Sequence, residues 1–326
     1  MRALRPHCEV IPVVRTGSWI SDQLKNQGID HHCLRFGGHL DFVTRLKLSR
    51  LVSEQKPDIV QTWMNRASRH FPRDRDVKWI CRLGGYYNLK NYQGADQLIG
   101  NTEDICRYII NEGWPANRVA CLPNFVDCPR NSELRSKAAL RVSMGIPPNV
   151  IVLFSAGRFH QNKGFDLVLD VLQELPENVH FLLVGEGPER AELISRCEEF
   201  GLRARVHIFG WADDVTPYAK ASDIWVVPSR IEPLGNVVIE SWAHKIPVIA
   251  SDASGPKSLI KHRQTGLLFN RGSIVSLRRE ISSLVQDPQL REKIADEGEK
   301  HFRAKFSEEE VISQWLQYFK KILSDF

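Results

Sequence analysis

Short apolar runs alternate with amphipathic stretches along the whole chain, twice over, and that rhythm restricts it to parallel sheets with helices on both faces. In the first half, residues 8–14, 31–34, 59–62, 79–83, 97–100 and 119–122 read as strands. Between them 19–27, 43–54 and 103–112 read as helices, the last capped by Asn101 or Thr102. A polar stretch with Pro129 and Pro147–Pro148 follows and holds one short helix over 134–142. The pattern then restarts, with strands at 150–156, 180–184, 206–209, 224–227, 247–250 and 267–269. Helices are expected over 165–175, 188–200, 236–244, 274–285 and 290–305, and a last one from Ser307 to about Leu323. The expected fold class is α/β, with two Rossmann-like doubly wound domains and a cleft at the carboxyl ends of their sheets, where open α/β folds bind ligands. The expected divisions are 1–128 and 150–305, joined by 129–149, with 306–326 a helix packing back toward the first domain.

Length agrees with two domains, because 326 residues exceed what one hydrophobic core usually organises. A hydrophobic content of 42% excludes a disordered chain, and no apolar run is long enough to span a bilayer. The N-terminus lacks the features of a secretory signal. Seven scattered cysteines without a Cys-x-x-Cys pair point to reduced thiols in a cytoplasmic protein, not to a zinc site. The net charge of +5 is concentrated: residues 1–128 carry 18 Lys and Arg against 13 Asp and Glu, whereas the remainder is balanced. An anionic partner on the first domain is therefore expected, against the plainer reading of a chance surface imbalance.

The chemistry-bearing stretch is 224–269. A strand ends at Pro228–Ser229, and a loop with Glu232 and Gly235 opens a helix at Asn236. Gly235 has no Cβ to keep a ligand from the backbone, and the free amides and dipole of a helix start suit a phosphate. Glu240 lies one turn further on the same side as Asn236, and a carboxylate there can accept two hydrogen bonds from vicinal hydroxyls. Upstream, the run Gly157-Arg158 to Lys163-Gly164 follows a strand, and its two cations can neutralise a departing diphosphate. No Asp-x-Asp pair with metal-ligand character stands at a strand end, so no metal is expected, and no cofactor is expected beyond the co-substrate.

In the frame PSRIEPLGNVVIE, Glu232 and Glu240 with seven residues between them resemble the Glu-x7-Glu motif of the family 4 retaining glycosyltransferases of the GT-B fold. Gly157-Arg158, Lys163-Gly164, LVGEGPER, VHIFGWADDV and GPKSLI…TGLLF follow in that family's order. In the first half PDIVQTW, LIGNTEDI and LPNFVD are similar too, so the resemblance covers essentially the whole chain and is closest to bacterial enzymes of lipopolysaccharide and surface-glycan synthesis. It implies transfer of a sugar from a nucleotide-sugar donor to an anionic glycolipid or glycan acceptor, with retention and without a metal. Arg158 and Lys163 would then hold the diphosphate with the amides of Gly235 and Asn236, Glu240 the ribose, and Glu232 the transferred sugar. Glu232, Arg158 and Lys163 are the catalytic candidates; Gly157, Phe209, Gly210, Trp211 and Ser229 complete the donor-binding set. Asn65, Arg66, Arg82 and Tyr86 follow strand ends of the first domain and are acceptor candidates, though surface or packing roles suit them equally. The family's first strand and Gly-rich loop have no counterpart here, so two strand edges and part of a core are expected to lie uncovered. Ser258 stands where many members have Glu, and Gln61 and Trp63 occupy a stretch where members often carry His.

Each feature has a plainer reading. The Glu pair alone could be a solvated helix face, but Gly235 and the upstream Arg/Lys loop favour a donor site. Gly185-Glu186-Gly187 lacks the third glycine of a dinucleotide turn and reads as structural. His160 serves equally as a donor contact or a solvated loop residue. Residues 43–51 set Arg45, Lys47 and Arg50 among leucines, which suits either an ordinary surface helix or peripheral contact with the cytoplasmic face of an inner membrane. Nucleic acid is not an expected partner. A catalytically weak nucleotide-sugar-binding protein and a nucleotide-sugar epimerase are the alternatives to the transferase.

Overall fold

The computed structural model describes residues 2–38, 40–72, 77–126 and 135–324. The chain divides into two compact units, one of Met1–Pro123 with Val311–Phe326 and one of Asn124–Glu310. These divisions fall a few residues from the expected ones at 128 and 306, and residues 129–134 of the expected linker lie outside the described residues.

The first unit contains β1 (Val13–Arg15) and β2 (His32–Leu34), paired parallel, and a separate parallel sheet of β3 (Ile59–Trp63), β4 (Lys78–Leu83), β5 (Gln97–Gly100) and β6 (Val119–Cys121) in that order. Among the described residues β1 pairs only with β2 and β3 only with β4, so each presents a second edge without a strand partner. The run expected as a strand over 8–14 forms a ladder only at its end. Pro12, with no N–H to donate, sits just before that ladder and instead accepts from the His32 amide at 2.9 Å. β4 is the centre of this unit, with Trp79, Ile80, Cys81 and Leu83 all buried. The helix Glu308–Ser324 contributes its residues from Val311 onward to this unit, and its buried Trp315 lies beneath the Arg82 guanidinium, 5.8 Å from ring centre.

The second unit is built on one parallel sheet: β7 (Ile151–Ala156), β8 (Val179–Val184), β9 (Val206–Phe209), β10 (Ile224–Val227), β11 (Val248–Ser251) and β12 (Leu267–Phe269). Their order is β12-β11-β10-β7-β8-β9. The chain starts at β7, builds outward on one side, then returns to lay β10 on the other. Neighbouring β7 and β10 therefore send their following loops to opposite faces, and the crevice between those loops is where this topology places a ligand. Two-residue periodicity sets the core: Ile224 and Val226 of β10 pack into one cluster with Phe165 and Leu277, whereas Trp225 and Val227 join Phe154 and Trp242 on the other face.

Three helices, Met64–His70, Thr216–Ala221 and Ser254–Leu259, were not expected from apolar periodicity. Each is six or seven residues long and buries little apolar surface of its own. The helix Pro288–Lys305 begins at Pro, with Asp287 capping it through the Leu290 amide at 2.9 Å, two residues before the expected start.

Candidate active site

The site is assembled from the loops that follow β7 and β10. After β7 the chain turns through Gly157, makes a single 3-10 turn at Gln161–Lys163 and enters the helix Phe165–Leu172. The ring of His160 caps that turn, its Nδ1 accepting from the Asn162 amide at 3.1 Å. The carbonyl of Asn162 then accepts from the amides of Arg230 at 2.7 Å and Ile231 at 3.1 Å, stitching the two loops together. The Arg230 guanidinium closes the seam with a two-pronged bond to Asp166, at 2.7 and 2.6 Å. Between them sits Gly164 in the left-handed region, where a Cβ would fall 2.3 Å from the Pro228 carbonyl.

This stitching brings Lys163 to Glu232. Their Nζ and Oε2 atoms are 2.6 Å apart, and the carboxylate is nearly buried at 8% exposure. Glu232 faces the start of the helix Asn236–Ala243, whose leading residue Gly235 has φ of 71°. A side chain at Gly235 would meet Leu259 at 2.8 Å and the Gly255 backbone at 3.1 Å, so the helix begins on bare backbone with no side-chain cap. Its first amides, which no helix can satisfy internally, are the electropositive lip of the site. The Asn236 side chain is not available in the same way, since its Oδ1 accepts from Asn124 at 2.8 Å.

Glu240, one turn into that helix, completes the group. Burial pushes its carboxyl up to about 7; Lys163 draws it back down and Glu232 adds to the rise. All three ionisable groups thus feel one another. Arg158 is exposed on the same β7 loop and forms no ion pair among the described residues.

The other donor candidates occupy two settings. Ser229 is buried at the end of β10, its carbonyl accepting from Ser251 at 2.6 Å. Phe209, Gly210 and Trp211 lie past β9: the Phe209 carbonyl accepts from the Gly185 amide, Gly210 stands beside the Glu186 carboxylate, and Trp211 is 69% exposed. Ser258 turns its hydroxyl back on the Gly255 carbonyl at 2.8 Å.

In the first unit the acceptor candidates share the carboxyl ends of β3 and β4, each with its own surroundings. Asn65 accepts from the Tyr92 hydroxyl at 2.7 Å, and Tyr86 donates to Asp104. Arg82 is 5% exposed and lies over Trp63 at 4.6 Å, its guanidinium held among aromatic rings and carbonyls. Arg66 points to solvent. Met64 begins its helix at φ of 64°, a strained conformation for a bulky side chain.

The geometry can hold a diphosphate on backbone amides beside a cation, with one carboxylate on each side. A profile of the group 1 glycosyl transferases matches residues 136–301. The chain is 32% identical over 314 residues to the lipopolysaccharide core biosynthesis glycosyltransferase LpsD of Rhizobium meliloti (strain 1021), covering 95% of this chain and 89% of that one. The chain belongs to the group 1 glycosyltransferases. LpsE of the same organism, also a lipopolysaccharide core biosynthesis glycosyltransferase, is 32% identical over 273 residues, 83% of this chain and 78% of the relative. Among solved structures, Anabaena HepE in complex with UDP superposes with a TM-score of 0.85 over 98% of this chain and 94% of that one, at 20% identity. A glycosyltransferase from Rickettsia africae reaches 0.86 at 19% identity, covering 97% and 91%. The glycosyltransferase therefore has the GT-B fold of two Rossmann-like domains.

Asn124, Asp166 and Arg230 also shape the site. Asn124 and Arg230 stand inside LPNFVD and PSRIEPLGNVVIE, but the pairing of Arg230 with Asp166 across 64 residues leaves no local signal.

Proposed function

We propose that this glycosyltransferase moves a hexosyl group from a nucleoside diphosphate sugar, UDP-linked as in the HepE complex, to a lipopolysaccharide-core or related surface-glycan acceptor, with retention of configuration and without a metal. The Lys163–Glu232 pair at the Gly235 helix start carries this reading, because it sets a cation, amides and a carboxylate around a space of diphosphate character. On donor binding the pyrophosphate oxygens take hydrogen bonds from the first amides of the helix and charge from Lys163, while Arg158 closes from the exposed side. Glu240, as a carboxylate, accepts from the ribose hydroxyls. Glu232, released in part from Lys163, orients the sugar hydroxyls near the anomeric carbon. Cleavage of the anomeric C–O bond leaves its electron pair on the diphosphate, where amides and cations stabilise the developing charge. The acceptor hydroxyl adds to the same face, and its proton passes to the departing phosphate oxygen, so the chain need supply no base. Resemblance to LpsD and LpsE supports the acceptor class, and the scattered cysteines, without a Cys-x-x-Cys pair, suit a reducing cytoplasm.

The deciding experiment incubates the enzyme with UDP-sugars and a lipopolysaccharide-core acceptor in EDTA and reads the product's anomeric configuration by NMR. Transfer with retention is expected. An inverted product, or turnover abolished by EDTA and restored by a divalent cation, would refute the corresponding part of the reading. Donor consumption without acceptor would favour an epimerase.

A further inference from the structure

We propose that Cys106 and Cys121 form a reversible oxidation site, closing to a disulfide when the chain meets a hydroperoxide. The two residues come from different elements. Cys106 lies on the buried side of the helix Glu103–Asn111, and Cys121 ends β6 with its thiol exposed. Gly100 brings them together. It pairs in register with Cys121 across β5 and β6, so the two residues stand about 4.8 Å apart and face the same side of the sheet. The sulfur of Cys106 rests over Gly100, where a Cβ would fall 2.6 Å from it. It is also 3.4 Å from the carbonyl oxygen of Ala120, the residue before Cys121. The two thiols are hydrogen-bonded to each other, so a disulfide of about 2.05 Å needs the sulfurs only to close on a neighbour already in contact.

Their surroundings give the two thiols unlike roles. The hydrogen bond from Cys106 lowers the Cys121 thiol below its usual range; the Arg82 guanidinium adds to the fall, while partial burial and Glu103 oppose it. Arg82 is held there, its Nη2 atom 3.4 Å from the carbonyl oxygens of Leu122 and Pro123. The same hydrogen bond, together with burial, raises Cys106. Cys121 is thus the attacking thiolate and Cys106 the resolving thiol. The Cys121 thiolate takes one oxygen of the peroxide, the O–O bond breaks and hydroxide leaves with the proton that Cys121 gave up, so a sulfenic acid and water are formed. The hydrogen bond that kept the proton on Cys106 ends at that point. Cys106 attacks the oxidised sulfur, and its proton departs with the displaced hydroxyl as water. Two thiols and one hydrogen peroxide thus yield one disulfide and two waters, the sulfurs losing the two electrons that the peroxide gains. The new bond ties the helix Glu103–Asn111 to the strand whose next two residues hold Arg82 and carry the chain out of the first unit.

Peptide mapping tests it. The reduced enzyme is treated with a single equivalent of hydrogen peroxide, quenched with catalase, alkylated and digested with trypsin. Two of the seven thiols should escape alkylation, and the fragment 91–107 should be found joined to 119–130 through Cys121. Dithiothreitol should return both thiols and separate the fragments. Cys106→Ser should lose the joined fragment and leave Cys121 as a sulfenic acid that dimedone traps. Cys121→Ser should lose it too and keep Cys106 as an alkylatable thiol once the chain is unfolded. Joining of 119–130 through Cys128, a bond between two chains, or seven alkylated thiols after peroxide overturns the proposal. So does a Cys106→Ser enzyme in which dimedone finds no sulfenic acid at Cys121.

Discussion

Glu240 is the residue whose chemistry is most exposed to measurement. Its folded pKa of about 7 lies above that of an unfolded glutamate, so the folded chain holds a proton that the unfolded chain has lost. The neutral carboxyl is cheap to bury, and the charged form is not. Folding stability should therefore decline as pH rises from about 4.5 through about 7, and Glu240→Gln should recover up to about 3 kcal/mol at pH 8 and little near pH 5, as read by urea unfolding. Donor binding as proposed runs the opposite way, since there the carboxylate accepts from the ribose hydroxyls. Calorimetric affinity for the nucleotide sugar should rise about tenfold between pH 6 and pH 8, and the Gln variant should be weaker and flat. Lys163→Ala removes both the cation proposed for the diphosphate and the partner of Glu232. We expect kcat to fall about a hundredfold to a thousandfold with the fold intact and stability lower by about 1–2 kcal/mol, the partial exposure of the lysine limiting the cost. A kcat within a few-fold of the parent would refute the role.

At the scale of elements, what could be read from sequence was what is local. The six strands of the second unit carry continuous apolar runs, and all six were placed within a residue or so of their observed ends. The helix start at Gly235 was legible for the same reason: glycine, helix and both carboxylates occur within nine residues. The stitching of the β7 loop to the β10 loop was not, because Arg230 and Asp166 look like ordinary surface charges until the sheet order makes their loops neighbours. The short helix Met64–His70 escaped because its polar sequence has no apolar stripe and its first residue adopts a conformation that helix rules disfavour. Gly235→Ala tests the element directly. A methyl 2.8 Å from Leu259, at a left-handed backbone, should cost about 2–4 kcal/mol and shift the helix start, so donor affinity should fall more than for Asn236→Ala. Thermal shift with and without UDP-sugar reads both effects.

For the molecule as a whole, alternation of apolar runs announced two Rossmann-like domains, but not the order of strands or the separation of β1–β2 from the β3–β6 sheet. Those are set by long-range pairing, which periodicity does not encode. The final helix is expected to pack back toward the first domain, but nothing local in it says which ring Trp315 meets there. Here the first unit owns it, under Arg82. Trp315→Ala should open a cavity there and cost about 3–5 kcal/mol, lowering the unfolding temperature of the first unit while the second, carrying the donor residues, keeps its UDP-sugar-induced shift. Loss of that shift in the variant would mean that the two units do not melt independently.

Because the first unit is written in two pieces and the second in one, the gene treats its halves unequally. Residues 124–310 are an uninterrupted insert that could be lifted out as a single cassette, whereas a fragment stopping at Pro123 would leave Arg82 without the ring beneath it. Exchanging the second unit between relatives would accordingly require splicing at two seams at once, and a chimera joined at only one would inherit a foreign stopper in its first unit.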